Sequence, residues 1–361
     1  MKIIRLTTLL DFGGQERKYI SFTEDQTMLH HKYIFAAIGR GGNAEKIIRG
    51  RGFEVRVFNL SPSIKSLSNI KYLYKWIKSE QPDIVHTAAA EANFHGIIAA
   101  RLAGVPVIIG EEIGIPTHSK IAIKAFETIY RFAQAVICVS RAVKEHLVNI
   151  GEIPATKGIV LYNPVSKPRT FSKTNSDKFR IVFVGRLEHV KNVKTLIKAF
   201  AAMQHKDKCT LTIVGNGAQR SEIEALINEL QLTNVVMQGF QDTPEKFVSQ
   251  ANLFVLPSFS EGFGIAVVEA MMQGIPCLCS QVGGIPEFIT NDDNGWLFDP
   301  NNVGQLTQQM DKIQAMDKDR LEEVGLKGLA FAKANFTSKI YIKKLESIYE
   351  ELFEKSRHNK K

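Results

Sequence analysis

Residues 257–276 read PSFSEGFGIAVVEAMMQGIP, and seven residues separate two carboxylates in this stretch, Glu261 and Glu269. Pro257 ends a strand-like run, Gly262 and Gly264 flank Phe263 in a loop whose backbone can approach a ligand closely, and the pattern predicts a helix starting near Ile265. The unpaired N–H groups and positive dipole end of such a helix suit a phosphate. Glu269 falls inside that helix among Val267, Val268, Ala270, Met271 and Met272, a setting that predicts burial. A buried carboxylate needs partners. Two ribose hydroxyls would serve, and so would an Arg or Lys from elsewhere in the chain. Glu261, on the loop before the helix, is placed to meet a sugar.

A second set of residues lies in VGRLEHVKN, 184–192. A strand ending at Val184, then Gly185, then two cations flanking a helix start would bring Arg186 and Lys191 beside the 262–265 turn. Arg supplies a planar fork and Lys a point charge, so together they could clamp a diphosphate and stabilise the charge that appears as a sugar–phosphate bond breaks. For this segment alone, two solvated cations after a strand are the competing reading.

In the first half, DFGGQE at 11–16 places Gly13 and Gly14 after the opening strand, where they would allow close ligand approach or simply a tight strand-to-helix turn. His86 at the end of a strand, and Glu111 and Glu112 just after the next, are candidates for a ligand site beyond the sheet; a hydrogen-bonded structural role is the alternative. His118 is a further loop candidate. No G-x-G-x-x-G follows the first strand, which argues against a dehydrogenase. Asp317-Lys318-Asp319 lies in a charged helical stretch, and Cys277-Leu278-Cys279 are neighbouring residues of an apolar strand without a second ligand pair, so no metal site is predicted.

Two series of alternating strands and helices must position these residues. The first has strands near 2–8, 33–37, 54–58, 84–86, 105–109 and 135–139, with helices from the Gly13-Gly14 turn to about 29, at 71–80 and at 92–103. The second has strands at 180–184, 209–214, 235–238, 253–257 and 276–280, with helices near 192–203, 219–230, 265–273 and 303–315. Such alternation predicts α/β domains with parallel sheets and ligands beyond the carboxyl ends of the strands. The Pro-, Ser- and Lys-rich segment 163–178 reads as a linker. The expected division is 1–165, 166–340, and a last helix within 341–361 that packs back on the first domain. With 361 residues the chain suits two domains.

At 44% apolar and 23% charged, the composition is that of a folded protein, and no apolar run approaches a membrane span. The four cysteines sit in apolar runs and read as reduced thiols, consistent with a cytoplasmic location. The net charge of +9 is uneven: residues 1–165 carry 21 Lys+Arg against 14 Asp+Glu (+7), and 166–361 carry 25 against 23 (+2). Basic stretches around 65–78 and 120–131 alternate lysines with Leu, Ile, Tyr and Phe. They suit either amphipathic helices on a core or a helix lying on an anionic membrane surface.

The order of these motifs resembles the retaining family 4 (group 1) glycosyltransferases of GT-B architecture. Glu261-x7-Glu269 within SEGFG…VEAMMQGIP, VGRLEHVKN at 184–192, VGNGAQR at 214–220 and NGWLFDP at 294–300 carry the resemblance. It implies two doubly wound Rossmann-like domains facing across a cleft, with the nucleotide-sugar on the second domain and the acceptor on the first. Carried over residue by residue, it gives Arg186 and Lys191 to the donor diphosphate, Glu261 to the donor sugar hydroxyls and Glu269 to the ribose. Gly185, Gly215 and Gly262–Ile265 would lie along the donor, with Gly13 and Gly14 against its phosphate. The expected donor is a UDP- or GDP-sugar, with no cofactor and no metal. The expected acceptor is a glycan or lipid-linked intermediate of polysaccharide or lipopolysaccharide biosynthesis, with no nucleic acid bound. The family often has a histidine near position 113, where this chain has Glu-Glu-Ile-Gly, so His86 and Glu112 are the first-domain catalytic candidates. A sugar-nucleotide 2-epimerase of the same architecture, or a non-catalytic binder of polyanions, would share much of this pattern.

Overall fold

The computed structural model of the protein describes residues 1–172 and 174–358. The chain forms two compact units, one made of Met1–Ser166 with the segment from Phe336 onward, the other of Lys167–Asn335. The first holds β1 (Lys2–Thr7), β2 (Lys32–Ala37), β3 (Glu54–Val57), β4 (Ile84–Ala88), β5 (Val107–Glu112), β6 (Ala135–Cys138) and β7 (Gly158–Val160) in one parallel sheet of order 3-2-1-4-5-6-7. The second holds β8 (Phe179–Val184), β9 (Cys209–Val214), β10 (Val235–Gly239), β11 (Leu253–Leu256), β12 (Cys277–Ser280) and β13 (Trp296–Phe298), also parallel, in the order 10-9-8-11-12-13.

Both are Rossmann-like, doubly wound sheets. Strand order reverses between β1 and β4 in the first and between β8 and β11 in the second, and ligand sites of such sheets lie at these switch points, beyond the strands' carboxyl ends. The strands are nearly continuous apolar runs, as sheets covered by helices on both faces require; Leu253, Phe254, Val255 and Leu256 of β11 are all buried. Cys277 and Cys279 of β12, like Cys138 and Cys209, are buried free thiols.

The second unit ends at Asn335, not at 340, because the whole helix Ser338–His358 packs on the first unit. Tyr341, Ile342, Leu345 and Tyr349 join Ile3, Phe22 and Phe35 in one core. Val165 bridges to Thr337 and Asn163 is buried, so the first residues of the expected linker belong to the folded unit. Part of that linker, Lys173, lies outside the described residues, as do residues 359–361. The first helix, Gly14–Phe22, is also shorter than expected: the Thr23 hydroxyl bonds back to Tyr19 O at 2.9 Å, and the chain leaves as a separate turn at Gln26–Met28. Among the described residues no helix is long and apolar enough to cross a membrane. No group of three His, Cys, Asp or Glu side chains there could hold a metal, and Asp317, Lys318 and Asp319 are exposed.

Candidate functional site

The loops that follow β8, β9 and β11 meet at the switch point of the second sheet. Gly185 donates its N–H to Val214 O at 3.0 Å, Leu187 to Asn216 O at 2.9 Å, and Gln219 to Leu187 O at 2.8 Å, so the first two loops are knitted backbone to backbone. This explains Gly215. A Cβ there would stand 1.8 Å from Gly185 O, at a φ of +144° that side chains resist, so its glycine is fixed by loop packing whether or not a ligand is near. Gly185 itself packs against the Phe183 ring.

The β8 loop is fastened to the β11 loop as well. Phe259 N–H donates to Val190 O at 2.8 Å, and the rings of His189 and Phe259 stack with centroids 5.3 Å apart. These ties bring Lys191, last residue of the turn His189–Lys191, to Glu261: Nζ lies 2.5 Å from Oε1, and Ser258 Oγ donates to the same oxygen at 2.7 Å. Glu261 is only 8% exposed. Its carboxylate is therefore a charge held by one cation and one hydroxyl, both on Oε1. Arg186 is different. Its side chain is 68% exposed and bonds Glu188 at 3.0 Å, a surface pair worth roughly 0–1 kcal/mol.

Gly264 caps the helix Ile265–Met271 in the left-handed region, at φ +89°, and a Cβ there would press on Ile285 Cγ1 at 3.3 Å. Phe263 is buried against Phe288, so of the Gly262–Ile265 turn it is backbone that can meet a ligand, not the phenyl ring. Glu269 is half-buried, which corrects the expectation of a fully enclosed carboxylate: the helix turns that side chain toward partial solvent while Val267, Val268, Ala270 and Met271 fill the core. Two residues missed in the sequence complete the cluster, Ser258 and Asn192. A serine three residues before Glu261 and an asparagine directly after Lys191 were the available signals.

In the first unit, Gly13 caps the helix Gly14–Phe22, and Asp11 on the same loop accepts from Asn43 N at 3.4 Å and pairs with Arg40 at 3.2 Å. Three of the other first-unit candidates, His86, Glu111 and Glu112, do not face solvent. β5 extends to Glu112, so Glu111 and Glu112 stand within the sheet rather than on a loop beyond it.

His86 is fully buried, with Nδ1 2.6 Å from the Tyr349 hydroxyl and Nε2 3.2 Å from Glu111. Burial, seconded by the nearby Arg5 charge, lowers its pKa to about 3, so the ring is neutral. Glu111 bonds Lys18 and lies 3.3 Å from Arg5, both fully buried. Burial alone would raise its pKa, but Lys18, His86 and Arg5 outweigh it and hold the carboxyl well below the usual range. His86 is thus a member of a buried charge network under the last helix, not an accessible base. His118 bonds Glu152 at 2.6 Å.

Glu112 is likewise enclosed, accepting from Asn93 Nδ2 at 3.0 Å and from the Tyr130 hydroxyl. Burial, with a contribution from Glu152, raises its pKa from 4.5 to about 7. Between those values the folded chain holds a proton that the unfolded chain releases, so this group's share of stability falls as pH rises through the window. Glu112→Gln removes that dependence, on the order of 3 kcal/mol over the window. Melting curves should show wild type losing stability relative to the Gln variant from pH 5 to pH 8. Wild type holding constant or gaining stability relative to the Gln variant across this range would refute the assignment.

The family model for Glycosyl transferases group 1 matches residues 166–324, and that for Glycosyltransferase Family 4 matches residues 12–167. An uncharacterised glycosyltransferase of Methanocaldococcus jannaschii is 31% identical over 258 residues, 64% of this chain and 66% of that protein. A capsular polysaccharide biosynthesis glycosyltransferase of Staphylococcus aureus is 25% identical over 326 residues, 83% of this chain and 86% of that protein. In fold, the crystal structure of Anabaena HepE in complex with UDP-glucose matches with a TM-score of 0.84 at 20% identity, over 97% of this chain and 100% of that one. With two Rossmann-like units of parallel sheet, each matched by its own family model, the chain belongs to the group 1, family 4 glycosyltransferases and has their GT-B fold.

Proposed function

We propose that this protein transfers a sugar from a nucleotide-diphosphate sugar to an acceptor with retention of anomeric configuration, using its second unit to hold the donor. The observation that carries this reading is Lys191 and Glu261 joined at 2.5 Å on loops at the carboxyl edge of β8 and β11. A cation for phosphate and a carboxylate for sugar hydroxyls are what a glycosyl diphosphate needs at its breaking bond. Arg186 supplies a second cation, since its surface pair with Glu188 is weak enough to give way to a phosphate. Glu269, half-buried, suits the ribose.

In the proposed step the bond from the sugar's anomeric carbon to the diphosphate oxygen breaks with its electron pair on the diphosphate. The acceptor oxygen attacks the same face, and its proton passes to the leaving diphosphate. Lys191 and Arg186 stabilise that leaving charge without a metal. The HepE complex with UDP-glucose supports a UDP-sugar donor, and a GDP-sugar would meet the same phosphate groups. The capsular relative supports a glycan or lipid-linked acceptor. On the first unit, Ile121 is 85% exposed beside Lys120 and Lys124, over an apolar groove of about 650 Å³ formed with Phe94, Ile98 and Ile129. This supports peripheral attachment to an anionic membrane, on its cytoplasmic face.

Thermal-shift screening against UDP- and GDP-sugars tests the donor. A cognate donor at 100 times its dissociation constant adds about 2.7 kcal/mol of stability. Stabilisation by none of them, or formation of an epimer from donor without any acceptor, would overturn the proposal.

A further inference from the structure

We infer that Asn192 is a positioning residue for Lys191, locking the loops after β8, β11 and β13 into the one arrangement that sets the Lys191–Glu261 pair; this rests on the donor reading of that pair. Asn192 is 6% exposed and follows Lys191 directly. Its backbone turns into the left-handed region at φ +53°, ending the turn His189–Lys191 and opening the helix Val193–Ala201. Its amide nitrogen donates both hydrogens, to Pro257 O at the end of β11 and to Pro300 O beyond β13, each at 3.0 Å. Its amide oxygen accepts from Thr195 Oγ1 at 2.7 Å.

No other residue type meets all of these demands. Asparagine tolerates the left-handed region and carries two donors and an acceptor on a short stem. Aspartate would tolerate the backbone but set acceptor-only oxygens against two carbonyls. Glycine would keep the backbone and lose every side-chain bond. Ser258, one residue past Pro257, and Glu261, three further on, take their position from the same anchored carbonyl. A slip of the β8 loop against the β11 loop would therefore part Nζ from Oε1, and errors near 1 Å at such sites cost as much as about 100-fold in rate.

The test is a cycle in the full chain of Asn192→Gly, Lys191→Ala and the double variant. Glycine keeps the φ value, so the backbone survives while the amide is lost. Calorimetric titration with UDP and with GDP should show Asn192→Gly weakening the cognate nucleotide by roughly 10-fold in the wild-type background, but by less than about 2-fold when Lys191 is already alanine. Equal losses in both backgrounds, or no loss in either, overturn the inference. Urea denaturation reads the same cycle without nucleotide. Lys191→Ala should shift the midpoint in the wild-type background and leave it nearly unmoved beside Asn192→Gly, and equal shifts in the two would overturn it too. If wild type binds neither UDP nor GDP, the donor reading falls, and the urea cycle alone decides whether Asn192 positions Lys191.

Discussion

Lys191→Ala and Glu261→Gln should each lower kcat/KM for release of nucleoside diphosphate from the cognate nucleotide-sugar by on the order of 10²- to 10³-fold. The magnitude follows from the geometry. Lys191 Nζ and Glu261 Oε1 are 2.5 Å apart, and both side chains are mostly shielded from water, where an aimed charge is worth far more than on an open surface. The two losses should not add. Removing Lys191 frees Glu261 to repel the incoming diphosphate, and removing the Glu261 charge lets Lys191 drift from its seat, so the double variant should fall little below the worse single one. Arg186→Ala, whose partner Glu188 is solvent-exposed, should cost less, roughly 10-fold. Steady-state rates with each variant decide it. A change under about 3-fold for Lys191→Ala would remove that residue from the chemistry.

The second unit was the more legible half. Strand ends at Val184 and Val214, and the helix start at Ile265, follow from apolar runs punctuated by glycine, and these local signals also placed Lys191 and Glu261 on adjacent loops. What they did not reveal was why those loops hold still. Asn192 joins carbonyls 65 and 108 residues away, and no local pattern announces such a bond.

The first unit misled for the same reason on a larger scale. His86, Glu111 and Glu112 were charged or polar residues at strand ends, a placement that fits a ligand site. Their true partners, Arg5, Lys18, Tyr130 and Tyr349, come from four other elements, with Arg5 and Tyr349 separated by 344 residues. The last helix was expected to fold back on this unit. That it would supply a hydroxyl to a buried histidine was not readable from its sequence.

Glu111→Gln should destabilise the protein by about 3–5 kcal/mol, because it leaves Lys18 and Arg5 as buried cations facing a neutral amide. Burial lowers the pKa of Lys18 to about 8 even with Glu111 present, so the cluster already works against desolvation, and removing the Glu111 charge, the strongest opposing one on Lys18, tips that balance. The charge logic gives a control. Lys18→Met in the Glu111→Gln background removes one uncompensated cation and should recover part of the loss, whereas a packing defect would make the double variant worse. The pH dependence gives another. Glu111 is held far below its ordinary pKa, so its stabilising share is complete above about pH 4.5 and is lost as pH falls toward the folded value. The gap between wild type and Glu111→Gln should therefore narrow below pH 4.5. Because Tyr349 accepts from Arg5 at 3.1 Å, the variant should also loosen the helix Ser338–His358, seen as faster amide exchange there than in β8–β13. Unfolding free energies that differ by less than about 1 kcal/mol, or a gap constant down to pH 3, would mean that the network is not what fastens the last helix to the first sheet.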